Sequence, residues 1–399
     1  MLRGSYRFDS VIRMSENFSE RLKHLRALLS KKGVDGIYIS SPVEDVMHRY
    51  SSNRRYLTGF TGSSGILLIG TDTALLAVDS RYGEQASVQI SESDFTLCEI
   101  SGPREKWFPV LLNLANLEGK RIAISAKDVA VSEYIDVQDI ISTLDDVKKP
   151  TILPMISLVE TVRSLKDAEE IKKIKQAIVI AEKAFISVCN SFSIGMTERN
   201  FADSLQSAVN TFGGDDFSFE PIVASGPNAA MPHAPLSNRS IGEGDPVIVD
   251  WGVLKDGYCS DLTRSFILGA KSDSSEKFQE LYEIVQNAQH AAITSLEEGM
   301  TGAQVHNFAA QCIEKAGYSE YFTHGLGHGV GLDVHDYPPY LGPSSEDVLE
   351  EGMVFTIEPG IYIKGWGGVR IEDIVHIKGG RAHVLSDLPS KISPNTGGL

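Results

Sequence analysis

A chain of 399 residues exceeds what one hydrophobic core usually supports, so two domains are expected. With 42% hydrophobic and 23% charged residues the composition is that of a soluble globular protein, and a net charge of −16 argues against nucleic acid, whose phosphates need clustered Lys and Arg. No run reaches the roughly eighteen apolar residues of a membrane span. Cys98, Cys189, Cys259 and Cys312 form no CxxC pair, which suits buried thiols in a reducing compartment. The opening MLRGSYRFDSVIRMSENF has no apolar signal core, so a cytoplasmic protein is expected. Met14 is a candidate start, because helical periodicity begins only near Ser19.

In chain order, SERLKHLRALLSKKG (19–33) places Leu22, Leu25, Leu28 and Leu29 on one helical stripe. GIYIS, YLTGFTGSSGILLIG and TALLAVD follow and read as strands parted by glycine turns. A helix-like stretch near 106–118 precedes a further strand, RIAIS. Residues 15–150 are therefore expected to form an α/β domain. DVKKPTILPM, with two prolines, suggests a linker, assigned to 151–162. The remainder, 163–399, opens with a long amphipathic helix for which Ser164 and Asp167 resemble a capping box. Helices at 197–213, 274–298 and 301–316 then alternate with short β-rich segments, which predicts an α+β second domain.

The most informative segment is DPVIVDWGVLKDGYCSDLTRSFILG (245–269). Asp256-Gly257 is a strong hairpin signal, and a two-residue loop there sets Gly252 opposite Asp261. Asp250 then lies on the same face, diagonal to Asp261. In MVFTIEPGIYIKGWGGVRIEDIVHI (353–377), a turn centred on Gly365 places Glu358 opposite Glu372. Two apolar hairpins that each juxtapose two carboxylates call for a cation, since a buried like-charged pair is otherwise costly. A third stretch, THGLGHGVGLDVHD (323–336), supplies His324, His328 and His335. Four carboxylates and an imidazole suit two bridged divalent ions, manganese, cobalt or zinc, among which the ligand set alone does not choose. Spacing alone does not say which histidine binds. Fully extended, His328 and His335 would stand roughly 23 Å apart, so both serve one site only if the chain turns back. HExxH, GxSxG and GxxxxGK[ST] motifs are absent.

These residues resemble the metallopeptidase family that contains aminopeptidase P, prolidase and methionine aminopeptidase. The resemblance implies a C-terminal pita-bread domain behind a smaller creatinase-type N-terminal domain, for which YLTGFTGSSG and DSRY are typical. It assigns Asp250, Asp261, His328, Glu358 and Glu372 to metal, with Asp261 and Glu372 bridging. It makes His233 (in SGPNAAMPHAP), His335 and Glu358 catalytic, and His324, Tyr362 and Arg370 supporting. The implied activity is hydrolysis of the Xaa-Pro bond at a peptide N-terminus. The alternatives are an Xaa-Pro dipeptidase, which needs a group for the substrate's free carboxylate, and a non-catalytic binding module, which would lack metal ligands. A homodimer, a proline-containing peptide as partner, and neither nucleic acid nor membrane complete the expectation. Phe219, Tyr362 and Trp366 are candidate apolar walls, each read first as ordinary packing. Arg54, Arg55 and Arg81 are candidates for a carboxylate, each read first as surface charge.

Overall fold

The computed structural model describes residues 17–40, 51–91, 93–269 and 271–392. These fall into two compact units, 17–155 and 156–392. The first is a six-stranded mixed sheet in the order Thr96–Glu99, Ala74–Val78, Ile66–Gly70, Gly36–Ile39, Arg121–Ser125, Thr151–Met155. Its central strands are buried along their whole length, and Phe108, Leu111, Leu112, Val137 and Ile141 from two helices pack on one face. This is the α/β unit that alternation in the sequence predicts.

Three sequence expectations are corrected within or beside this unit. The presumed linker at 151–162 is regular structure: Thr151–Met155 pairs in parallel with Arg121–Ser125, and Leu158–Ser164 is a helix. Pro154 is tolerated because its strand lies at the sheet edge, where a missing N–H breaks no ladder. YLTGF is not a strand. Ser51 caps a helix over Ser52–Thr58, and Gly59, at φ 72°, ends it in the left-handed conformation. Arg54 on that helix is not surface charge. It is fully buried and donates to the carbonyls of Gly62 and Gly65, which fixes the GSSG loop. Arg81 is exposed and pairs with Asp79 at 2.8 Å.

The second unit opens on the helix Ala168–Ser191. Its capping box is Asp167 with Glu170, about one turn later than the sequence suggests, because Ser164 ends the preceding helix and bonds the Thr161 carbonyl. Phe185 of this helix stacks on Trp251 at 4.2 Å, and the indole N–H donates to the Ala181 carbonyl. That contact seats the strand Pro246–Trp251, which lies between Leu262–Ile267 and Ile222–Ser225. Helices Asp273–Ser295 and Gly302–Lys315 bury Leu281, Val285, Ala292, Val305 and Ile313 with Phe355, Ile357 and Val375 of the second hairpin. Among the described residues no helix is long and apolar enough to cross a membrane.

Gly252 sits where the Ser218–Phe219 segment closes on the first hairpin. A methyl group there would run into the Ser218 hydroxyl and the Ser260 carbonyl oxygen. Gly252→Ala is expected to destabilise the unit by about 1–3 kcal/mol, the usual range for overpacking. Calorimetry checks this, and an unchanged Tm would mean that the strands yield freely.

Candidate active site

The first hairpin folds as its sequence requires. Asp256 (φ 50°) and Gly257 (φ 83°) supply the left-handed pair of a two-residue turn. Leu254 pairs with Cys259, and the same register continues to Trp251 with Leu262 and Asp250 with Thr263. Asp250 and Asp261 therefore stand diagonally on one face. In the second hairpin Gly360 pairs with Arg370 and Ile357 with Asp373, which sets Glu358 across from Glu372. At that level the two strands part. The Glu358 N–H bonds the Leu326 carbonyl at 2.8 Å, and the Glu372 N–H bonds the Thr263 carbonyl at 3.2 Å. The second hairpin is thereby joined to the first and to the histidine stretch at the position of its carboxylates.

His328 follows from that junction. Its backbone N–H bonds Thr356 Oγ1 at 3.1 Å, and its Nδ1 faces the Gly329 carbonyl at 3.1 Å. A proton held on Nδ1 leaves the Nε2 lone pair aimed at Asp261 Oδ2, 3.6 Å away, and Glu358 Oε1, 3.4 Å away. Asp261, His328 and Glu372 each offer a ligand atom within 4.8 Å of the others. Burial, reinforced by His335, pushes His328 down to about 3, so the ring is neutral and free to donate. Burial pushes Glu358 up to about 8. It also raises Asp261 and Glu372 well above the usual carboxylate range, with neighbouring carboxylates adding to it. Asp250 Oδ1 is buried without a hydrogen-bond partner. An orphaned carboxylate oxygen among crowded acids and a neutral imidazole is a donor set that divalent cations fit.

Arg370 organises one side. Its side chain, 3% exposed, donates to Asp250 Oδ2 at 2.7 Å, Thr263 Oγ1 at 3.1 Å, Tyr362 Oη at 2.7 Å and the Pro232 carbonyl at 3.2 Å. Thr263 Oγ1 in turn donates to Glu372 Oε2 at 2.6 Å. His324 Nδ1 lies 2.7 Å from the Gly325 carbonyl and Nε2 lies 2.9 Å from the Tyr362 hydroxyl. Burial holds His324 down at about 4, so its Nε2 accepts from Tyr362. The His335 ring meets His328 edge-on at 4.2 Å, so the chain does turn back between them. His233, exposed on its loop, lines a cavity of about 640 Å³ together with His335, Glu358 and the other predicted ligands. Of the proposed walls, Phe219 lines this cavity. Trp366 does not: its indole donates to Ser274 at 3.3 Å beneath Lys277.

Residues 172–379 match the metallopeptidase family M24, and residues 21–165 match the creatinase/prolidase N-terminal domain. Peptidase YqhT of Bacillus subtilis is 35% identical, with 93% of this chain and 99% of that protein covered. The chain belongs to metallopeptidase family M24. Its fold is the family's pita-bread domain behind the creatinase-type domain. The Xaa-Pro dipeptidase from Bacillus anthracis superposes with a TM-score of 0.84 at 33% identity, over 94% of this chain and 99% of that one. The X-Pro aminopeptidase from Thermotoga maritima gives 0.80 at 33% identity, over 93% and 98%.

Within this M24 site, Thr263 was legible in principle, because the hairpin register that pairs Asp250 with Asp261 also sets Thr263 opposite Asp250. Glu198 carried no such signal. It is fully buried and accepts from the Ser225 N–H at 2.7 Å and the Ser225 hydroxyl at 2.8 Å, which braces the loop leading to His233.

The raised carboxylate values have a thermodynamic consequence. A carboxylate whose folded pKa lies above its unfolded value binds protons more tightly when folded, so stability falls as pH rises between the two values. The histidines, pushed below 6.5, act only at lower pH. Chelated protein is therefore expected to lose stability between pH 6.5 and 8, with a slope on the order of 1 kcal/mol per pH unit for each retained proton. Added Mn²⁺ is expected to reverse the loss at pH 8. Thermal melts across this range check both statements, and a flat chelated profile contradicts them.

Proposed function

We propose that the protein is a dinuclear metal-dependent Xaa-Pro aminopeptidase that removes the first residue of peptides whose second residue is proline. Asp250, Asp261, His328, Glu358 and Glu372 would hold the divalent ions. Manganese is favoured over cobalt or zinc for this oxygen-rich set. When bound, such ions lower the pKa of water and polarise a carbonyl. Glu358, with its pKa pushed up to about 8 by burial, suits a group that takes the proton of the attacking water and returns it to the leaving imide nitrogen near neutral pH. His335 and His233 face the cavity and donate to the scissile carbonyl oxygen as charge develops on it. Arg370 holds Asp250, and Tyr362 holds the neutral His324, so both serve chiefly to fix the site.

One observation favours an aminopeptidase over a dipeptidase. Among the described residues Arg370 is the one lysine or arginine lining the cavity, and most of its N–H donors are already engaged, by Asp250, Thr263, Tyr362 and Pro232. The free carboxylate of an Xaa-Pro dipeptide would be desolvated there without a cation. A longer peptide presents a neutral amide at that point. Phe219, Pro221, Ile222 and Val334 offer apolar wall for a proline ring, which lacks an N–H to recognise. A homodimer in a reducing, cytoplasmic compartment completes the reading; all four cysteines are unpaired.

Mn-loaded protein is expected to cleave an Arg-Pro-Pro tripeptide and to leave Gly-Pro largely intact, as read by amino-acid release. Cleavage of Gly-Pro alone selects the dipeptidase, and no cleavage with metal bound selects a binding role. Glu358→Gln is expected to lower kcat by about 10²–10⁴-fold, the usual worth of a general base, with the Tm preserved.

A further inference from the structure

His335 raises a physical question. Among the described residues no group hydrogen-bonds its imidazole, which packs against the rings of His328 and Tyr337. A hydrogen-bond donor in a catalytic site must be held within a fraction of an ångström to be useful. Something other than its own polar contacts must therefore fix this ring.

The next residue supplies it. The Asp336 side chain turns away from the cavity and is 3% exposed, between Arg163, also 3% exposed, and Lys166, fully buried. Arg163 NH2 lies 2.9 Å from Asp336 Oδ1 and 2.7 Å from Asp333 Oδ2, so one guanidinium clasps both ends of the segment that carries His335. Lys166 Nζ stands 3.6 Å from Asp336 Oδ2 and has no hydrogen-bond partner, so its interaction with Asp336 is electrostatic. The Asp336 N–H bonds the Gly329 carbonyl at 2.8 Å, which closes the chain back onto the residue after His328. Gly331 is glycine for the same reason, since a methyl group there would strike the Asp336 carboxylate. Arg163 also faces Asp333 and Glu160, and Lys166 also faces Glu170, so the two cations stay balanced, whereas a displaced Asp336 carboxylate would lose both of its cations in a buried setting.

We propose that Arg163, Lys166 and Asp336 form a positioning latch for His335, acting on turnover through that imidazole and not through the metal ligands. The proposal rests on the peptidase reading for its kinetic readout, although the ring position itself can be observed without turnover.

The test is a double-mutant cycle on the Mn-loaded enzyme with the tripeptide, with metal content and Tm measured for each variant. Asp336→Asn is expected to lower kcat by about 10–100-fold, with KM within about threefold and two metal equivalents retained. His335→Ala is expected to lower kcat at least as much, and adding Asp336→Asn to it to change nothing further. Losses that multiply in the double variant, or metal lost from Asp336→Asn, overturn the latch. Should Asp336→Asn fail to fold, Arg163→Met is expected to reproduce the kcat loss and Arg163→Lys to recover most of it; equal activity in the two overturns the proposal. Absence of wild-type turnover would refute the peptidase reading alone. In that case the His335 imidazole resonances of labelled protein decide: the latch requires Asp336→Asn to shift or broaden them, and unmoved resonances overturn it.

Discussion

Repulsion among Asp250, Asp261, Glu358 and Glu372 is the constraint to which much of the second unit responds. Four acids crowded in a low-dielectric setting lie high in free energy as anions, and burial already drives Glu358, Asp261 and Glu372 toward their protonated forms. Arg370 offsets part of this through Asp250, and the Thr263 hydroxyl through Glu372. The unpartnered Oδ1 of Asp250 marks what the protein's own groups leave uncompensated. The neutral imidazole of His328 belongs to the same solution, because it brings a lone pair to the cluster without adding charge.

Much of this arrangement was legible because hairpin register is arithmetic. Once Asp256-Gly257 and Gly365 are taken as turn centres, the pairing of the four carboxylates follows by counting, and the observed registers agree. The joining of the two hairpins was not countable. It depends on Glu372 meeting Thr263 and on Glu358 meeting Leu326, contacts between segments about 100 and 30 residues apart that no local pattern encodes. The histidines of THGLGHGVGLDVHD needed that tertiary information as well, and resemblance to a known family stood in for it.

The errors share one cause, a local signal overridden by its surroundings. Prolines suggested a linker where an edge strand tolerates them, and Arg54 looked like surface charge until two loop carbonyls claimed its guanidinium. The capping box was displaced by one turn because Ser164 was already part of another helix. Such misreadings fall at boundaries and on lone charges, whereas the periodic segments were placed within a few residues.

The parting of the strands at Glu358 and Glu372 bears on how the site comes into being. Asp250 and Asp261 are brought together by one hairpin, but Glu358, Glu372 and His328 join them only where separate segments cross, so the first hairpin alone holds two of the five candidate ligands. A cation that recognises only the completed crossing binds the native state and not its fragments. Ion occupancy would then report the population of fully folded second unit, and a metal held by this donor set would act as a folding ligand before it took any part in chemistry.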